Sequence, residues 1–155
     1  MTATETQVAR VARRCLMLAG VLGAAGVLIG AFGAHGLPGW LADRGLDAEL
    51  IEKRLAQLDV GVLYHLLHTV ALASLAASLL WLPVRTVRIV GGLFVLGIVV
   101  FSGSLYLLVA LNQPKWGMVT PIGGLSLIFG WTWLAIAAGR GPKVGKPSET
   151  NRSEA

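Results

Sequence analysis

The chain contains three histidines, the residues whose side chains could bind a metal ion. His65 and His68 are three residues apart, and Tyr64 lies four residues before His68, so the three share one side of a helix. His35 stands at the end of a separate apolar run. Imidazole nitrogens bind Zn, Cu and Fe, and the spacing of His65 and His68 would allow both to reach one ion. A metal or haem site is therefore one hypothesis.

Further polar residues lie in the later apolar segments of the chain. Ser102 and Tyr106 are four residues apart, and Thr120 begins the last apolar segment. Polar side chains in hydrocarbon are costly unless they have partners, so we expect these groups to face one another. The predicted polar cluster consists of His35, Tyr64, His65, His68, Ser102, Tyr106 and Thr120. A structural hydrogen-bond cluster is the leading interpretation, and a small-ligand or quinone pocket is an alternative beside the metal or haem site.

Several classes of site find no support in the residues. Cys15 is the only cysteine, which excludes an internal disulfide and a multi-thiolate metal site. The apolar segments contain no Asp or Glu, the residues on which proton and sodium relays usually depend. No serine lies in a Gly-x-Ser-x-Gly turn, and the glycine-rich pieces lie inside hydrophobic segments. We therefore predict no enzymatic activity, catalytic residue, cofactor or metal.

Composition identifies the kind of protein. The 155 residues are 55% hydrophobic and 14% charged, whereas about a quarter of the residues are charged in an average soluble domain. The mean hydropathy is +0.71. Four apolar segments, about 12–35, 60–83, 87–111 and 119–138, are each long enough to cross a bilayer, which takes roughly 20 residues. The chain is predicted to be an all-α integral membrane four-helix bundle.

The segments outside the spans have distinct compositions. Residues 1–11 form a basic N-terminal arm, and residues 139–155 form a polar tail that we expect to be disordered. Before the second span, Asp47 has the character of an N-cap. An apolar stripe in this region consists of Leu46, Leu50, Ile51, Leu55 and Leu58. This stripe predicts a short amphipathic helix that lies on the membrane and runs into the second span.

The basic residues predict the orientation. Most of them lie in the N-terminal arm, the 85–88 connection and the tail: Arg10, Arg13, Arg14, Arg85, Arg88, Arg140, Lys143, Lys146 and Arg152. The other two connections hold Arg44, Lys53, Arg54 and Lys115, and five acidic residues offset the basic residues of the first of them. By the positive-inside rule both termini are cytoplasmic. Because the basic residues lie at the ends and in the connections, we interpret them as topology signals and expect no nucleic-acid partner.

Glycines are predicted to set the helix packing. Gly23, Gly26, Gly30 and Gly33 recur every three or four residues along one face of the first span. Small residues allow close approach of helices in lipid, so this face would contact a sister helix of the same chain or, in the alternative, a second copy. Three later glycines are assigned the same role: Gly103, Gly123 and Gly124.

Four motifs in order resemble one family. They are Gly30–His35, Tyr64–Leu72, Phe101–Tyr106 and Thr120–Gly124, the last followed by Gly130 and Trp131. Together they are similar to the signatures of the YgdD-like family of small membrane proteins, also called domain of unknown function 423, which includes transmembrane protein 256. The resemblance covers about residues 15–138 and implies a multi-pass protein of the bacterial inner membrane without an established activity. His65 falls at a position where the family motif accepts other residues, which counts against a site that needs all three histidines.

The leading functional hypothesis is a structural or interaction protein of the inner (plasma) membrane, with the polar cluster in its outer half. Its partners would be the lipid bilayer and either further copies of itself or other membrane proteins. One alternative is a membrane binding module for a small hydrophobic ligand, a metal or haem at the polar cluster. A second alternative is a small-solute channel or transporter formed by an oligomer.

Overall fold

The computed structural model describes residues 2–140, and in that range the chain is helical with short connections and no strand. The helices are α1 (Ala3–His35), α2 (Leu37–Ala42), α3 (Ala48–Ser78), α4 (Val84–Gly97), α5 (Gly103–Leu111) and α6 (Thr120–Gly139). A π-helical turn, Ile98–Ser102, joins α4 to α5, and a 3₁₀ turn, Pro114–Met118, precedes α6. The predicted disordered tail lies outside the described residues except for its first two positions, of which Gly139 ends α6.

The prediction of four apolar helices is confirmed. Four helical stretches are long and apolar enough to cross a membrane: Ala3–His35, Ala48–Ser78, Val84–Leu111 and Pro114–Gly139. The first starts well before the predicted residue 12, because Thr2 and Glu5 form a capping box. At 33 residues α1 is roughly 50 Å long, against about 30 Å of hydrocarbon. The basic first turns of α1 therefore extend beyond the length that a bilayer core would cover.

The residues before the second span form no separate helix. Asp47 is the N-cap, accepting a hydrogen bond from the Leu50 amide at 2.8 Å, and the helix it starts runs unbroken to Ser78. The apolar stripe packs against the protein itself, around the buried Leu37 and Leu41 of α2. The predicted amphipathic helix is therefore the first part of α3, held by α2 and the end of α5. The helix stops at Ser78, and residues 79–83, which were predicted to complete this span, form the connection to α4.

The bundle has two ends, which we call the terminal end and the opposite end. The terminal end contains the start of α1, the 79–83 connection and the end of α6, and its core includes Val11, Leu75 and Val87. The opposite end contains α2 and the 112–118 connection, and its core includes Leu41 and Leu108. Within the bundle α3 packs on α1, α4 and α5, and α6 packs on α4 and the π-helical turn. Helices α1 and α4 both start at the terminal end and run in the same direction.

The glycine face of α1 lies against α3. Methyl groups built at Gly23, Gly26, Gly30 and Gly33 would meet Thr69, Leu66, Val62 and Leu58, successive positions along α3. At Gly26 the distance to Leu66 Cδ2 would be only 2.7 Å. The face is therefore filled by a sister helix of the same chain rather than left free for a second copy.

The later glycines differ from one another. A methyl group at Gly123 would run into the backbone of Phe101, and one at Gly124 would lie 3.6 Å from the Phe101 ring. At Gly103 a methyl group would meet nothing within 4 Å. The assignment of Gly103 as a packing residue is therefore wrong, because its side of the helix has no neighbour.

Large apolar side chains cover the outside of the bundle. Val21 is 70% exposed and Leu28 71% on α1, and Phe129 is 60% exposed on α6. Soluble monomers rarely expose apolar patches of this extent. Such surfaces are suited to contact with lipid.

Candidate functional site

The seven residues predicted to form one polar cluster occur as separate groups. His68 lies with the backbone of Tyr64, His65 lies with Tyr106, and Thr120 lies with a serine that the predicted cluster did not include. His65 and His68 are on adjoining sides of α3 and face different neighbours. The predicted single cluster is thus divided into groups with different partners, one of them within α3.

His68 has a partner on each ring nitrogen. Its Nδ1 lies 2.8 Å from the carbonyl oxygen of Tyr64, and its Nε2 lies 3.1 Å from Nε1 of Trp131 on α6. A carbonyl only accepts and an indole N–H only donates. The ring must therefore carry its proton on Nδ1 and accept at Nε2. Neither nitrogen has a lone pair free for a metal.

Aromatic rings surround this pair. Phe94 of α4 is fully buried, with its ring centroid 5.4 Å from that of His68 and 5.0 Å from that of Trp131. Tyr64 is 41% exposed and its ring lies 4.7 Å from that of Phe101. Its carbonyl makes the hydrogen bond to His68, and its ring stacks on the His68 ring with centroids 6.0 Å apart. The group joins α3, α4 and α6 at mid-length of the bundle.

His65 joins α3 to α5. Its Nδ1 lies 3.0 Å from the Tyr106 hydroxyl, and its ring faces α1 where Gly26 leaves space. Its Nε2 is buried and has no hydrogen-bond partner among the described residues. The Oγ of Ser102, one turn before Tyr106, is likewise buried and unpaired. These two atoms are the unsatisfied polar groups of the predicted cluster.

Two serines join α6 to the rest of the bundle. Ser104 Oγ lies 2.8 Å from Thr120 Oγ1, and Ser126 Oγ donates to the Leu93 carbonyl at 2.9 Å. Neither Ser104 nor Ser126 was among the predicted cluster, and Trp131 was also missed. The signal for Trp131 was present, since an indole N–H in the middle of an apolar span needs an acceptor nearby.

His35 does not join any of these groups. It is exposed at the end of α1, and no hydrogen bond joins its ring to another described residue. The reason is the phase of the helix: Gly33 faces α3, and a residue two positions later lies about 200° around the axis. The prediction that His35 faces the other polar residues is therefore wrong.

The opposite end contains a buried arginine that sequence reasoning treated only as a topology signal. Arg54 is 4% exposed. Its Nε donates to Asn112 Oδ1 and its Nη1 to Gln57 Oε1, both at 2.8 Å. Asn112 has a left-handed backbone (φ 49°) at the end of α5, which aims its amide at α3. A charged group is here satisfied by neutral amides.

In the part of the chain that the structure describes, the histidines do not converge on one point. No group of three His, Cys, Asp or Glu side chains there lies close enough to hold an ion. The three histidines diverge: His65 contacts Tyr106, His68 contacts Trp131, and His35 is exposed. What the side chains can do is hold α3, α4, α5 and α6 in register through hydrogen bonds, whereas α1 packs on α3 through its glycine face.

Comparison with known proteins agrees with the resemblance seen in the motifs. The profile of a family described as protein of unknown function (DUF423) matches residues 29–124. The UPF0382 membrane protein YwdK of Bacillus subtilis is 38% identical over 125 residues, which cover 76% of this chain and 93% of the relative. The UPF0382 inner membrane protein YgdD of Escherichia coli K12 is 31% identical over 142 residues, covering 88% and 98%. A UPF0382 membrane protein of Haemophilus influenzae is 37% identical over 115 residues, covering 72% and 82%.

No solved structure matches the chain. The matched range runs from the end of α1 to the first turn of α6, so it contains the buried histidines and the glycine crossing at Gly123. The relatives carry the name of membrane proteins, in keeping with four helices able to span a bilayer. The chain belongs to the DUF423 family, the YgdD-like membrane proteins.

Proposed function

We propose that this chain is a non-enzymatic structural or interaction protein of the inner membrane, whose buried histidines hold its own helices together. The observation that carries the proposal is His68, whose two ring nitrogens are both occupied by groups of the same chain. A ligand-binding or catalytic histidine needs a free lone pair or an exchangeable proton facing a site. Further copies of the chain, or other membrane proteins, would pack on the exposed apolar faces of α1 and α6.

The proposed topology places both termini in the cytoplasm. Among the described residues, the terminal end carries six arginines and one acidic residue: Arg10, Arg13, Arg14, Arg85, Arg88 and Arg140, with Glu5. The opposite end carries four basic residues, Arg44, Lys53, Arg54 and Lys115, beside five acidic residues between positions 43 and 59. This asymmetry supports a cytoplasmic terminal end. Alkaline phosphatase should be inactive when fused after Arg140 and active when fused after Lys115; the reverse pattern would contradict the topology.

The structural role is tested by comparing two histidines. Replacing His68 with Ala leaves the Trp131 N–H unpaired, and we expect a loss of roughly 1–3 kcal/mol in the free energy of unfolding in detergent. The matched control is His35→Ala, which removes an exposed ring and should leave stability unchanged. The purified protein should show no Soret band and no stoichiometric metal by elemental analysis. A stoichiometric metal that the His68 variant loses would overturn the proposal.

One observation favours a second candidate, a binding module for a small hydrophobic ligand. A groove of about 480 Å³ opens between α3, α4 and α6 and is lined by His68 and Trp131 together with apolar side chains such as Leu67, Val70 and Leu134. Its size lies in the range of small-molecule sites. Native mass spectrometry from a gentle detergent separates the candidates: a bound species of constant mass that Val70→Trp displaces would favour the binding module.

A further inference from the structure

A second groove, at the terminal end, has a different chemical character. It lies between α1 and α4, has a volume of about 470 Å³, and is lined by Cys15, Leu18, Leu72, Val95 and Val99 among other apolar residues. Two arginines, Arg14 and Arg88, line it as well. Both are in the first part of their helices at the terminal end, whereas the apolar lining continues from them toward mid-length. The groove is therefore cationic at one end and apolar along the rest.

The dimensions of this α1–α4 groove fit one leaflet of a bilayer. Arg88 and Val99 are eleven residues apart on one helical stretch, which corresponds to about 16 Å along the axis. Half of a typical hydrocarbon core is about 15 Å thick. With Arg14 and Arg88 at the membrane surface, the apolar part ends near the bilayer centre, where an acyl chain ends.

A glycine keeps the groove open. Gly92 lines it and is exposed, and a methyl group there would meet nothing within 4 Å. Unlike the four glycines of α1 that face α3, Gly92 has no helix packed against it, so close approach of a neighbouring helix does not explain its presence. Its missing side chain leaves space on the lipid-facing surface of α4.

The charge on the groove selects the occupant. Neither arginine makes a side-chain hydrogen bond or an ion pair within the described residues, and the acidic residues of that range, apart from Glu5, lie between positions 43 and 59 at the opposite end. Basic pockets between membrane helices bind anionic lipid headgroups. We propose that the α1–α4 groove is a binding site for one anionic phospholipid, with its phosphate on Arg14 and Arg88 and an acyl chain along Gly92, Val95 and Val99. This goes beyond the proposed function, which concerns the buried histidines.

The test measures lipid selectivity on the full chain by native mass spectrometry. The protein in mild detergent is mixed with dioleoylphosphatidylglycerol or with dioleoylphosphatidylcholine, which has the same acyl chains on a zwitterionic headgroup. We expect one tightly retained phosphatidylglycerol, preferred at least about tenfold, since each arginine near a charged headgroup contributes several-fold in affinity. The double variant Arg14→Gln, Arg88→Gln should lose that preference. Its matched control, Arg10→Gln with Arg13→Gln, removes the same charge outside the groove and should keep it.

A second pair of variants tests the apolar part independently of charge. Gly92→Leu places a side chain in the groove from a position where an added Cβ meets nothing within 4 Å, and it should reduce retention of both lipids at least fivefold. Gly20→Leu places the same side chain at another exposed helix glycine with nothing within 4 Å, and it should leave retention unchanged. Equal retention of the two lipids by the wild type, or equal losses in a variant and its control, would overturn the proposal. So would a wild-type dimer that Gly92→Leu converts to a monomer, because the occupant would then be a second copy.

Discussion

The contact between α6 and the π-helical turn gives the sharpest prediction about packing. Gly123 is buried, and a methyl group built there would overlap the backbone nitrogen and Cα of Phe101. Backbone atoms within a helix cannot move aside as a flexible side chain does, so Gly123→Ala must push α6 away from the turn. Overpacking a well-packed site costs about 1–3 kcal/mol. Because the obstacle is backbone, we expect about 2–3 kcal/mol for Gly123→Ala.

The same substitution at two nearby glycines supplies the controls. A methyl group at Gly124 would make an ordinary contact at 3.6 Å, and one at Gly103 would meet nothing within 4 Å. Gly124→Ala and Gly103→Ala should therefore leave the free energy of unfolding unchanged or raise it slightly, since alanine loses less backbone freedom on folding. The assay is unfolding in mixed micelles with rising SDS, followed by far-UV circular dichroism. Equal stability of the Gly123 and Gly103 variants would refute the packing that we describe.

Two further pairs of substitutions test the buried polar groups in the same assay. Ser104→Ala removes the partner of Thr120 and should lower the free energy of unfolding by about 0.5–1.5 kcal/mol. Ser102→Ala removes an unpaired buried hydroxyl and should leave stability unchanged or raise it. A comparable loss of stability in the Ser102 variant would mean that the Ser102 hydroxyl has a partner. Asn112→Gly keeps the left-handed backbone but removes the acceptor of Arg54, which should cost about 1.5–3 kcal/mol. Asn112→Ala adds backbone strain of about 1–3 kcal/mol and should be less stable still, so an alanine variant as stable as the glycine variant would contradict the assignment.

The elements were predictable where the physical signal is local. Four apolar runs of about 20 residues specify four spanning helices, because the backbone in lipid must satisfy its own hydrogen bonds. Asp47 was predictable as a cap because its side chain serves an amide three residues away. The glycine face of α1 was predictable from its period, and the intrachain interpretation agrees with the α3 side chains that fill it.

The pairing of polar groups was not predictable, because it depends on which helix lies beside each face. His65 and His68 are three residues apart, yet one meets Tyr106 of α5 and the other meets Trp131 of α6. The period of the sequence shows that two residues lie near each other on a helix, but it does not show the position of the neighbouring helix. For the same reason Gly103 was assigned to a contact that does not exist.

Neither the π-helical turn nor the burial of Arg54 could be predicted from the sequence. The turn lies in the apolar run Ile98–Ser102, whose residues are ordinary for a spanning α-helix. Arg54 is buried because α2 and the end of α5 fold over the start of α3. Arg54 was interpreted from the sequence only as a topology signal, and only the tertiary structure shows it enclosed.

A double-mutant cycle on His68 and Trp131 tests most directly whether buried histidines hold this bundle together. The variants are His68→Leu, Trp131→Phe and the pair together, compared by the free energy of unfolding in mixed micelles. Hydrogen bonds between membrane helices average about 0.6 kcal/mol and reach about 1.7 kcal/mol. We predict that the double variant is more stable than the sum of the single losses by an amount in that range, because Trp131→Phe removes the N–H that His68→Leu leaves unpaired. Additive losses with no coupling would contradict the account.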